Sequence, residues 1–134
     1  MPSIFSKIIS REIPGHIIAE DEQFIAFLDI MPLVLGHTLV VPKKEVDYLF
    51  DMDDDSLADI NVFAKKVAHA VKKSVSCKRI GVAVIGLEVP HAHIHLIPMN
   101  TVSDLNFGRP KLKPSQEELV AIAAKIREAY KGLQ

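Results

Sequence analysis

The chain has a single cysteine, almost no charge imbalance and no long apolar run, and each absence removes a class of answers. Cys77 alone rules out any disulfide within the chain and agrees with a reducing compartment. Its side chain reads as a small, semi-buried one. Sixteen Lys+Arg against 17 Asp+Glu leave a net charge of −1, with the basic residues scattered rather than massed. No nucleic-acid partner held by its phosphate backbone is expected from that balance. The most apolar stretch, Phe24 to Val41, is interrupted by Asp29, Pro32, Gly36 and His37. A membrane span needs about 20 mostly apolar residues, so none is expected. Met1-Pro2-Ser3-Ile4-Phe5-Ser6-Lys7 lacks the basic start and apolar segment of a signal peptide. A soluble cytoplasmic protein follows as the expectation. No repeat, low-complexity tract or flexible linker divides the 134 residues, which read as one domain over 1–134.

What is present is ordered enough to sketch a fold. Ser3 is placed to cap a short helix over Ile4 to Ile9, ending before Pro14-Gly15. His16 to Ala19 and Phe24 to Ile30, separated by Glu20-Asp21-Glu22-Gln23, read as a hairpin. Pro32 and Gly36 frame a loop before a buried strand over His37 to Pro42. The acidic run Asp51 to Asp55 precedes a helix, where negative charge suits the N-terminal end of the macrodipole. That helix is marked by Leu57, Ile60, Ala64, Val67, Ala68 and Val71. Strands over Arg79 to Ile85 and His91 to Ile97 follow, then a last helix opened by a Ser115–Glu118 capping box. This order predicts an α+β domain with a five-stranded antiparallel sheet, a long helix and a C-terminal helix. Two sheet edges invite pairing with a second copy.

Half of the six histidines fall within five residues, in His91-Ala92-His93-Ile94-His95. In an extended strand, alternate side chains share a face, so the three imidazoles are expected to project into one site. A core strand does not ordinarily select groups that titrate near neutrality. Three chemistries use imidazoles at this spacing: a zinc site, nucleophilic attack at phosphorus, and general acid–base catalysis. The plainer alternative is three histidines satisfied by hydrogen bonds on a polar sheet face.

The chain resembles the histidine-triad (HIT) family of nucleotide hydrolases and transferases, in its branch of purine-nucleotide phosphoramidases. His91 to Ile97 is similar to the motif that defines the family, and Gly36-His37-Thr38-Leu39-Val40-Val41-Pro42-Lys43 to a second signature in which a fourth histidine opens a strand. Ile4 to Pro14 and Phe27-Leu28-Asp29-Ile30 resemble its N-terminal segment and the strand end that meets the nucleoside. The resemblance covers a motif-bearing core over 4–98, followed by a C-terminal loop and helix over 99–134. It implies two sheets joined in a homodimer and a purine nucleotide or nucleotide conjugate as ligand. The implied nucleophile is His93, with His95 and His37 holding the phosphate and the attacking ring. The backbone near His91 would fix the tautomer of His93. Asp29 would accept from the ribose hydroxyls, Phe5, Ile8, Ile13, Phe27 and Leu28 would wall the base pocket, and the backbone of Val89 would border the phosphate.

Three departures from the family pattern matter. The loop before the triad is short, Val84 to Pro90, and lacks the usual Asn and the Gln and hydroxyl that face the leaving group. Glu88 stands there instead, on the leaving-group side, where a carboxylate would repel phosphate or pair with a cationic leaving group. Several relatives hold structural zinc through Cys-x-x-Cys and two histidines, whereas this chain has Ser3, Ser6 and Glu45 at matching places. A hydroxyl is a poor substitute for thiolate, so no metal and no cofactor are expected. The implied reaction is hydrolysis of a nucleoside 5′-phosphoramidate through a nucleotidyl-histidine intermediate. Alternatives are dinucleoside polyphosphate cleavage or nucleotidyl transfer, a nucleotide-binding interaction protein with vestigial turnover, and a metal-dependent hydrolase.

Overall fold

The computed structural model describes residues 2–133. Its helices begin where the capping chemistry places them. Ser3 accepts from the Ser6 N–H at the start of α1 (Ile4–Ile9). Asp53 accepts from Ser56 N–H ahead of α2 (Asp54–Ser74). Ser115 and Glu118 form a reciprocal box opening α3 (Gln116–Lys131). Each cap satisfies backbone donors that the first turn of a helix leaves without partners.

Five strands, β1 (Ile17–Glu20), β2 (Phe24–Leu28), β3 (Thr38–Pro42), β4 (Arg79–Ala83) and β5 (Ile94–Met99), form one antiparallel sheet in the order β1-β2-β3-β5-β4. The last strand differs from expectation. It starts at Ile94 and runs to Met99, so His91 and His93 lie in the approach to the strand. The reason is local: the His91 N–H turns back to the Val89 carbonyl, and the Ala92 N–H bonds the Val46 carbonyl instead of a ladder partner. Side-chain alternation nevertheless survives the irregular backbone.

The sheet has two unlike faces. One is covered by α2 and α3, with Ala26, Leu28, Val40, Ile94 and Leu96 packed on Ile60, Val67, Val71, Ala123 and Ile126. The other carries a smaller cluster of Phe5, Ile8, Ile25, Phe27, Leu39 and Val41, flanked by Ile13 and Val89, with α1 laid over it. Leu39 sits opposite His95 in the ladder, which puts His95 on this second face. Leu28 does not belong to that face. It follows Phe27 on a strand and therefore points to the helix-covered side, so it cannot wall a pocket beside Phe27. Among the described residues, no helix is long and apolar enough to cross a membrane.

The loop leading to β3 turns at Gly36, whose φ of +99° is costly for any side chain; a Cβ there would also lie 2.8 Å from Val75. This turn delivers His37 to the start of β3, and the Asp29 N–H bonds the His37 carbonyl across its neck.

Candidate active site

Four buried imidazoles meet at the mouth of β3 and β5: His37 is 1% exposed, His91 0%, and His93 and His95 7% each. Burial at this depth requires every ring nitrogen that faces protein to find a partner. Among the described residues, no buried side-chain nitrogen or oxygen lacks one. Those partners assign the protons.

The Leu33 N–H donates to His37 Nδ1 at 3.1 Å, so the proton of neutral His37 is on Nε2. That Nε2–H donates to His95 Nδ1 at 2.9 Å. His95 then carries its own proton on Nε2, its outer nitrogen. His93 Nδ1 lies 2.7 Å from the His91 carbonyl, which can only accept; Nδ1 therefore holds the proton and Nε2 keeps a lone pair. The rings of His93 and His95 are 4.8 Å apart, edge to face. A ring nitrogen that bears a proton and one that bears a lone pair thus belong to neighbouring rings, each ring fixed by a bond at its other nitrogen.

His91 shares the face but serves it differently. Its Nε2 donates to the Pro42 carbonyl at 2.7 Å, and its Nδ1 accepts from Ser3 Oγ at 2.7 Å. Both nitrogens are spent. Alternation predicts that the three imidazoles project into one site; on that face the His91 ring forms part of the frame, and the residue's carbonyl is what orients His93. Ser3 is steadied in turn by Glu45, whose Oε1 accepts from the Ser3 N–H at 2.6 Å and from Ser6 Oγ at 2.9 Å. Ser3, Ser6, Glu45 and His91 do come together, but as two hydroxyls, a carboxylate and an imidazole bonded to one another. A donor set with no thiolate does not suit structural zinc.

Burial also sets the charge state. It pushes His37 down to about 3 and His95 down to about 4, with the neighbouring imidazoles and Lys111 adding to the effect. His91 is lowered by burial as well. These rings are neutral at physiological pH. Asp29 is raised by burial, opposed by the Met31 N–H that its Oδ1 accepts at 2.9 Å. Its Oδ2 lies 3.8 Å from His37 Nε2. Asp29, His37 and His95 have ligand atoms close enough for a metal ion. Yet His37 Nε2 and His95 Nδ1 already share a proton, which an ion there would have to displace.

The expected apolar residues divide by face. Phe5, Ile8, Ile13, Phe27 and Val89 gather beside the imidazoles, with the Phe5 ring 4.9 Å from His93 and 5.5 Å from Phe27. Leu28 lies across the sheet from them. Glu88 is exposed on the loop before the triad. One contributor was not anticipated at all: Phe107, in the segment after β5, packs its ring 4.8 Å from His95 and 6.2 Å from His37. The signal in the sequence was a lone aromatic in a segment without helical or strand periodicity.

The family model of the HIT domain matches residues 10–102. An adenosine 5′-monophosphoramidase of Schizosaccharomyces pombe is 35% identical, the match covering 98% of this chain and 100% of the relative. One of Saccharomyces cerevisiae is 40% identical over 96% of this chain and 83% of its own. The crystal structure of a Hit-like protein involved in cell-cycle regulation from Bartonella henselae superposes with a TM-score of 0.81, at 37% identity and 95% coverage of both chains.

Proposed function

Since the chain belongs to the HIT domain family, we propose that it binds a purine nucleotide and hydrolyses a nucleoside 5′-phosphoramidate through a nucleotidyl group carried on His93. The coarser statement, a nucleotide hydrolase acting on phosphorus bonds, comes with the family and its phosphoramidase relatives. The observation that supports the finer one is the fixed tautomer of His93, whose Nδ1 is tied to the His91 carbonyl while Nε2 stays free.

In this reading the Nε2 lone pair of His93 attacks the α-phosphorus. The phosphorus–nitrogen bond breaks, and the leaving nitrogen takes the bonding pair and a proton from solvent, departing as the amine. Water then attacks the same phosphorus, the bond to Nε2 breaks, and nucleoside monophosphate leaves with His93 regenerated. His95 Nε2–H donates to a non-bridging phosphate oxygen, a role held in place by His37 through the imidazole–imidazole bond. Asp29 accepts from the ribose hydroxyls, and Phe5, Ile8, Ile13 and Phe27 take the base. His91 is a positioning residue. A homodimer extending the sheet across the free edge of β4 belongs to the same reading, supported by exposed Val82, Val84 and Ile85 on and after that strand.

The test is AMP release from adenosine 5′-phosphoramidate in EDTA, comparing the native protein with His93→Ala. Turnover in the native protein that the variant lacks supports the reading. Equal rates in the two, or native turnover abolished by EDTA, would refute it.

A further inference from the structure

The site as described has a charge problem. His37, His91 and His95 are held neutral by burial, and Asp29 adds a carboxylate beside them. A nucleotide phosphate brought into such surroundings meets hydrogen-bond donors but no positive charge from these three imidazoles. Buried anions call for a counter-charge.

The segment after β5 brings one. Phe107 covers His95 and His37, as described, and the Lys111 ammonium lies 5.7 Å from the centre of the Phe107 ring. Lys111 Nζ donates to the Phe107 carbonyl at 2.9 Å, which uses one of its three N–H bonds. The Leu112 N–H bonds the Pro32 carbonyl at 2.9 Å, tying the segment to the loop that runs from Asp29 to His37. Arg109, two residues earlier in the same segment, is already paired with Asp104. Lys111 makes no salt bridge among the described residues. Its charge is nonetheless felt in the site, where it disfavours protonation of His37, His95 and Asp29 alike.

Resting on the proposed nucleotide chemistry, we infer that Lys111 is the cation that binds the nucleotide's phosphate, held over the histidines by its bond to Phe107 and by the tether to Pro32. Two of its N–H bonds remain to meet a non-bridging oxygen opposite the one held by His95. Phe107, packed on His95 and His37 and bonded to Lys111 through its carbonyl, links the ammonium to the imidazole cluster.

Equilibrium binding of AMP and of adenosine, measured at two salt concentrations, tests this in the full-length native protein and in Lys111→Met, Lys111→Arg and Lys113→Met. Lys113 is an exposed lysine two residues away and controls for simple loss of charge. The expected result is that Lys111→Met weakens AMP binding by about tenfold or more and leaves adenosine unchanged. Lys111→Arg restores most of the loss, and Lys113→Met changes nothing. The native affinity for AMP falls with salt more steeply than that of Lys111→Met. AMP binding that is equal in native protein and Lys111→Met overturns the inference while leaving the proposed function standing. Parallel losses of AMP and adenosine also overturn it, by assigning the lysine a structural role. A native protein that binds neither compound removes the proposed function itself.

Discussion

The two faces of the sheet are built on opposite principles. The helix-covered face is predominantly apolar, from Ala26, Val40 and Leu96 on the strands to Ile60, Val67 and Ile126 on the helices. Its stability is a matter of area and fit, and any well-shaped hydrophobic neighbour serves. The histidine face is equally buried at its centre, yet it is held by directed bonds. One chain of them runs from the Leu33 N–H through His37 to His95, and another from Ser3 through His91 to the Pro42 carbonyl. Direction matters there because it decides which nitrogen keeps a lone pair. The comparison separates what holds the protein together from what gives it chemistry.

The largest expected break is His93→Ala, which should lower turnover by about 10³-fold or more while moving the melting temperature little. Single-turnover kinetics beside a thermal melt would check both halves. Ile60→Ala on the other face should do the reverse. Ile60 is 0% exposed, so its truncation should cost about 2–5 kcal/mol of stability with kcat per folded molecule unchanged. Denaturant titration with active-site counting distinguishes the two outcomes.

A third prediction concerns pH. The unfolded chain protonates His37 and His95 near their ordinary value of 6.5, whereas the folded chain resists until about 3 and about 4. Between those limits the unfolded state binds more protons, so their contribution is fully present above pH 6.5 and is lost as the pH falls toward 4. The loss should be on the order of a few kcal/mol, offset in part by Asp29, whose raised pKa works the other way. Urea midpoints from pH 7.5 to 4.5 would show it. His37→Asn should flatten the slope.

The smallest effect is expected from Ser3→Ala. It removes both the cap of α1 and the hydroxyl that donates to His91 Nδ1, at a cost of about 1–3 kcal/mol. Turnover should fall only modestly, because the His91 carbonyl that orients His93 stays in place. A loss as large as that of His93→Ala would mean that the framework and the reacting group are not separable.

Legibility in the sequence followed the range of the physics involved. Caps at Ser3 and Ser115 act within one turn, and the helices they open start where the residues say, while the acidic run Asp51 to Asp55 marks the start of α2 without singling out its cap, Asp53. Alternation predicts one face for the three histidines, and Phe27, expected beside them only from the family resemblance, lies on that face. Applied with equal rigour it would have excluded Leu28 from that face, since adjacent strand residues point opposite ways. The start of β5 was not readable, because what ends the ladder is a bond from Ala92 to the distant Val46 carbonyl. The proton assignments of His37 and His95 depend on partners four and 58 positions away in the chain. Phe107 and Lys111 were beyond reach for the same reason: their loop has no periodicity, and its placement rests on distant contacts such as the tether of Leu112 to Pro32.

The central claim is that His93, and no other group, carries the nucleotide. A histidine–phosphorus bond is labile in acid, so the measurement is a rapid quench in base during turnover of adenosine 5′-phosphoramidate, followed by peptide mass analysis. The account predicts an adenylyl group on the peptide containing His93, formed and lost at rates that match turnover. An adduct on a different residue, or full turnover with no adduct at any time, would contradict it.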